Sequence, residues 1–129
     1  MSPGKYFNSN KSTGLAHLAN AVRFSCQGLV AAFQREAAFR HELAVIIVVI
    51  PAGIWLARSV VEFAALIGVC MLVLVMELFN SAVEALIDRM GEEPHALAGL
   101  AKDYGSAAVM ISMFIALIVW ASLLFQRLQ

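Results

Sequence analysis

The sequence predicts an all-α integral membrane protein, with three transmembrane helices and an N-terminal amphipathic helix on the membrane surface. Three observations predict it. Of the 129 residues, 61% are hydrophobic, and the mean hydropathy is +0.81, far too apolar for an ordinary soluble domain. Three segments are apolar over lengths that approach or exceed a bilayer crossing. A chain this short has no room for a closed barrel, and in lipid only a helix or a barrel satisfies its own backbone. The length suits one domain. Residues 1–12 are expected to form a disordered tail, and 13–129 a single membrane-embedded domain.

The start of the chain, 1–13, is polar, and the first apolar stripe behind it is amphipathic. No removable signal peptide is therefore expected. Over 15–35, Leu15, Leu18, Val22, Cys26, Leu29 and Phe33 recur at helical spacing, with His17, Asn20, Arg23, Gln27, Gln34 and Arg35 mostly on other faces. This suggests a helix lying on the cytoplasmic membrane surface. The alternative is a helix that faces a partner in a bundle. Thr13 or Ser12 is placed to cap its start.

The first span is the apolar run 43–57, which holds Pro51 and Gly53 and is short of the ~20 residues a crossing needs. It reaches that length by taking in Ala37, Ala38, Phe39, Arg40, His41 and Glu42, whose charges then sit at the water interface. The second span runs over 60–88 and the third, uninterrupted, over 105–125. Lys5, Lys11, Arg23, Arg35 and Arg40 precede the first span, and Arg89 and Lys102 lie between the second and third. Only Arg58 and Arg127 fall on the other side. Seven cations against two put the N-terminus and the 89–103 loop in the cytoplasm and the C-terminus outside, in the periplasm of a Gram-negative cell. With Cys26 expected in the cytoplasm and Cys70 in mid-membrane, no disulfide is expected between them. A net charge of zero leaves no nucleic-acid footprint.

One feature of the second span stands out chemically. Glu77, Asn80, Glu84 and Asp88 interrupt it at offsets of 0, 3, 7 and 11, which fall within a ~80° arc of one helix face. The run before them, 63–76, is uncharged. A carboxylate in lipid costs at least ~2.5 kcal/mol on insertion scales, so repeated acids on one face mark a site. With Glu62 at the outer interface, Glu77 lies ~22 Å further along and Glu84 ~33 Å, against a hydrocarbon layer of ~30 Å. The stripe thus leads from inside the apolar layer to the aqueous cytosol, which suits chemistry joining a lipid head group to a water-soluble reagent.

Glu36, where the surface helix turns into the first span, matches Glu84 in depth, and the two could share a divalent cation. Mg²⁺ takes one or two carboxylates plus phosphate oxygens and water. The structural alternative is a helix-surface pair of Glu36 with Arg40. Lys102 stands at the mouth of the third span, where a phosphate could approach, and Asp103 could cap that helix. Gly105, Ser106, Ala107 and Ala108 are small, which suits close helix packing, a narrow crevice beside Glu77, or both. There is no glycine-rich phosphate loop and no dinucleotide fingerprint, so any use of ATP proceeds without the common nucleotide folds.

Three stretches carry a resemblance: Glu36-Ala37-Ala38-Phe39-Arg40; the run from Glu77 to Arg89, with the pattern E-x-x-N-S-A-V-E-x-x-x-D; and Lys102-Asp103-Tyr104-Gly105-Ser106-Ala107-Ala108-Val109. Together they resemble the prokaryotic diacylglycerol kinases, a family that includes undecaprenol kinases, over about 15–126. The resemblance implies a homotrimer of three-span subunits with active sites shared between neighbours at the inner membrane face. It implies transfer of a phosphoryl group from ATP to diacylglycerol, with Mg²⁺, in the bacterial inner membrane. Glu77 would be the general base, with Asn80 and Asp88 supporting it, and Glu36 and Glu84 would bind the metal. His17, Phe24, Glu36, Glu84, Glu93, Pro94, His95, Lys102 and Asp103 would meet the nucleotide; Ala38, Arg40, Glu77 and Ser106 would meet the lipid.

The chain departs from the best-known enterobacterial pattern at His17 (Arg there), Phe24 (Tyr), Cys26 (Trp), Gln27 (Lys) and Leu100 (Arg). These changes bear on nucleotide affinity and lipid preference. Undecaprenol kinase is the alternative within the family, although the Gly105–Val109 stretch leans toward diacylglycerol. A small ion or proton transporter is the alternative of another class, against which the uncharged 63–76 run argues. A purely structural polar stripe would suit Asn80 alone.

Overall fold

The computed structural model describes residues 14–91, 93 and 95–129, and every described element is a helix: α1 (Leu15–Arg35), α2 (Ala37–Leu56), α3 (Val60–Arg89) and α4 (Ala96–Leu128). The expected disordered tail and the Ser12 or Thr13 cap lie outside the described residues, as do the nucleotide candidate Pro94 and the neighbouring Glu92. The chain divides into two compact units, the first ending at Arg35 and the second running over Glu36–Gln129.

The first unit is described by α1. Gly14, at φ +73, occupies the left-handed region a glycine tolerates, and its carbonyl accepts the amides of His17 (3.1 Å) and Leu18 (3.2 Å) to open the helix. Most of its residues are exposed, among them Leu15, Leu18, Val22, Phe24, Leu29 and Phe33. Arg23 stacks over the Phe24 ring at 5.5 Å.

In the second unit, α2, α3 and α4 are each long and apolar enough to cross a membrane. Glu36 precedes α2 with extended backbone (φ −103, ψ 110). The 20 residues of α2 span ~30 Å and include Pro51, which forfeits one ladder bond. After α2 the chain turns through Ala57, Arg58 and Ser59. Ser59 Oγ accepts the Glu62 amide (3.1 Å), while Glu62 Oε2 accepts the Arg58 amide (2.6 Å), a reciprocal cap that starts α3. The 30 residues of α3 and 33 of α4 rise ~45 and ~50 Å, so both outrun the ~30 Å hydrocarbon layer.

α4 begins nine residues before the apolar run expected at 105–125, with His95 at its N-cap. Asp103 therefore does not cap it. It sits in the helix interior, exposed, because residues 96–104 continue the ladder as an aqueous extension of the span.

α3 is the central helix. It packs along α4 and α2, which hardly meet each other. Leu66, Cys70, Val73, Leu74 and Glu77 are its buried residues, Leu66 fully so. Trp120 of α4 donates its indole N–H to the Leu66 carbonyl of α3 (3.2 Å). At the end away from the 89–95 loop, Arg58 donates to the Gln126 carbonyl (3.4 Å), and Arg127 covers the Trp55 ring at 5.6 Å. The outer faces remain apolar and open, as at Ile47, Ile54, Leu117 and Ile118. Such faces suit acyl chains or further copies of the chain.

Candidate active site at the α3–α4 rim

Along α3, exposure follows the predicted depth. Glu77 is buried, with 8% of its surface exposed; Asn80 and Glu84 are half-buried; Asp88 is exposed. The order arises because α4 covers the α3 stripe closely at Glu77 and leaves it open toward the loop. Glu77 makes no hydrogen bond or ion pair among the described residues. The carboxylates of Glu42, Glu84 and Glu36 all act on it electrostatically.

Glu84 Oε1 meets Lys102 Nζ at 3.7 Å. One turn deeper, Gly105 of α4 lies on Asn80: a Cβ built at Gly105 would stand 2.5 Å from Asn80 Oδ1 and 3.6 Å from its Cα. These two contacts and the Trp120–Leu66 bond keep one antiparallel register. From Glu84 through Asn80 to Leu66 is 4 and then 14 residues down α3; from Lys102 through Gly105 to Trp120 is 3 and then 15 residues up α4. Glu77 consequently comes level with Ala108 and the buried Val109. The small residues of α4 do pack closely on α3, as one reading of them required. Ser106 is exposed.

Glu93 and His95 line a hollow of about 620 Å³ with Ile87, Ala96, Ala98 and Gly99, at the start of α4. Ala38 and Arg40 are exposed on the first turn of α2, on either side of the buried Phe39. His17 and Phe24 lie on α1, in the other unit. The described residues contain no group of three or more His, Cys, Asp or Glu side chains placed to hold a metal.

Sequence reasoning missed Glu42. It treated this residue as an interfacial charge at the foot of the first span. In the structure Glu42 lines a cavity of about 290 Å³ between α2, α3 and α4, with Val45, Cys70, Val73, Met113 and Trp120 among its other walls. The available signal was its position immediately before the uncharged 43–57 run, which puts a carboxylate at the edge of the apolar layer. The seat of Asn80 under Gly105 carried no sequence signal beyond the smallness of residue 105.

Comparison with known proteins gives a consistent result. A family model described as prokaryotic diacylglycerol kinase matches residues 23–124. The diacylglycerol kinase of Haemophilus influenzae is 47% identical over 115 residues, covering 89% of this chain and 98% of that protein. The diacylglycerol kinase of Escherichia coli K12 is 42% identical over 119 residues, 92% of this chain and 98% of that protein. The diacylglycerol kinase of Pseudomonas aeruginosa is 42% identical over 124 residues, 96% and 98% of the respective chains.

Proposed function

The chain belongs to the prokaryotic diacylglycerol kinase family, and from that premise we propose that it passes the terminal phosphoryl group of ATP to diacylglycerol at the cytoplasmic rim of the bacterial inner membrane. It is a lipid kinase with three membrane-spanning helices, and its relatives are named for diacylglycerol, the lipid assigned to it here.

The observation that carries the reading is Glu77, a buried residue of α3 whose carboxylate has no hydrogen bond or ion pair among the described residues, with Glu84 and Lys102 further along toward the 89–95 loop. In this reading Glu77 takes the proton of the lipid hydroxyl as that oxygen attacks phosphorus. A carboxylate that no other described side chain engages is free to take that proton. Asn80 and Asp88 support it from the same face. Phosphoryl transfer asks little more of a protein than positioning and charge neutralisation. Lys102 supplies a positive charge for the phosphates, and Glu93, Pro94, His95, Asp103, His17 and Phe24 are the residues assigned to the nucleotide. Ala38, Arg40 and Ser106 face the lipid.

Glu36 and Glu84 are the residues that would hold Mg²⁺. They fit it by the chemistry of the donor set: two carboxylates would leave the remaining coordination to phosphate oxygens and water, as this ion prefers. Held there, the ion would supply positive charge to offset that of the phosphates. The open apolar faces support a homotrimer with sites completed by a neighbour, and the charge asymmetry supports an N-terminus inside and a C-terminus outside.

The test is transfer of radiolabelled phosphate by the purified protein in detergent micelles with Mg²⁺ and ATP, run side by side on diacylglycerol and undecaprenol. Phosphatidate as the main product is expected. Preferential labelling of undecaprenol would move the chain to the other branch of the family, and no labelled lipid at all would end the kinase reading.

A further inference from the structure

Among the described residues, Asn80 Oδ1 is the one buried side-chain oxygen or nitrogen without a hydrogen-bond partner. An acceptor left in that state is unfavourable, so its setting calls for a reason. Gly105 provides it. A Cβ at Gly105 would come within 2.5 Å of this oxygen, so the glycine Cα hydrogen that stands in place of a side chain points at Oδ1. A weakly positive C–H facing an oxygen is mildly attractive, whereas the same C–H facing an NH₂ group is not. The contact therefore selects which end of the amide lies under α4. The Nδ2 end also has no partner among the described residues, yet it is not sealed in as Oδ1 is; Asn80 stands three residues from Glu77 on the same face of α3.

We propose that Gly105 is a positioning residue for catalysis: by lying on Asn80 Oδ1 it fixes the side-chain amide with its N–H donors outward, so that Asn80 donates a hydrogen bond to the lipid hydroxyl oxygen whose proton Glu77 removes. This rests on Glu77 as the base. The hydroxyl oxygen then has its proton on Glu77 and a lone pair on Asn80 Nδ2, leaving another lone pair free to meet phosphorus. Holding the oxygen at two points restricts its approach, and misorientation at such a centre lowers rate more than binding. A flipped amide would offer an acceptor to an oxygen that has no second proton to give.

Three variants test the assignment. Asn80→Asp keeps the shape and removes the donor. Gly105→Ala pushes on the amide. Gly105→Ala with Asn80→Ser shortens the side chain and relieves that pressure. The expected results are a kcat loss of tenfold or more in all three, KM for ATP within about twofold of the parent, and a melting temperature that falls in Gly105→Ala and recovers in the double variant. A kcat that recovers together with the melting temperature in the double variant would reduce Gly105 to a packing residue. A kcat for Asn80→Asp within twofold of the parent would remove the donor role.

A second readout needs no turnover. In protein labelled with ¹⁵N at asparagine, the Asn80 side-chain N–H₂ signal should shift on adding diacylglycerol to the parent and stay put in Gly105→Ala. An unmoved signal in the parent overturns the proposal even if Gly105→Ala does not fold. Wild-type activity and the Glu77→Gln variant test the underlying kinase reading separately.

Discussion

Glu77 is the residue at which stability and function oppose each other most directly. Glu77 is a buried acid with no compensating hydrogen bond or ion pair among the described residues, which is unfavourable for folding. Replacing it with glutamine keeps the shape and removes the charge. Glu77→Gln is expected to melt at a temperature equal to or above the parent and to lose at least ~10²-fold in kcat, the scale on which a general base acts. Differential scanning and lipid phosphorylation measured on one preparation check both halves, and a normal turnover number would remove Glu77 as base. Glu84 and Lys102 face each other at 3.7 Å and are both partly exposed, so their pair adds little to stability. Their substitutions should instead separate by ligand. Glu84→Gln is expected to raise the Mg²⁺ concentration for half-maximal rate about tenfold, and Lys102→Met to raise KM for ATP with little change in the Mg²⁺ requirement.

Individual helices are held by few directional contacts, which makes each one measurable. The Ser59–Glu62 reciprocal cap starts α3 at its outer end. Ser59→Ala is expected to cost ~1 kcal/mol, read as a shift of the unfolding midpoint in mixed micelles, with catalysis at the opposite end of α3 unchanged. The Trp120 indole bonded to the Leu66 carbonyl sets the depth of α4 against α3. Trp120→Phe keeps most of the ring volume and removes the N–H; within a membrane such bonds contribute ~0.6 kcal/mol on average. Its stability loss should therefore be smaller than that of Ser59→Ala, and a larger one would mean that ring volume, rather than the hydrogen bond, holds the register. α2 tolerates Pro51 because a single missing ladder bond is a local loss in a helix held along its length by α3.

For the molecule as a whole, the open apolar faces and the charge asymmetry lead to assembly and orientation. Cross-linking in native membranes is expected to stop at three chains. An Arg127→Cys variant should react with a membrane-impermeant maleimide from outside the cell, and a Gly91→Cys variant only after the membrane is opened. Reaction of both positions from the same side would reverse or abolish the predicted topology.

Composition, periodicity and charge were enough to determine the number of spans, their ends on α2 and α3, the helix at 15–35 and the single acidic face of α3. These are properties of one helix in its solvent: an apolar run must reach across the lipid, and side chains 3, 4 and 7 residues apart share a face whatever lies opposite. The start of α4 escaped that logic because its first turns are neither apolar nor capped by Asp103, and a helix that continues into water needs no hydrophobic signature. The tertiary structure alone decided that Gly105 covers Asn80, that Lys102 reaches Glu84, and that Glu42 turns into the space between three helices. Each of these depends on the register of one helix against another. Register is set by where a missing Cβ permits contact and where one indole finds a carbonyl, and no spacing within a single segment encodes it.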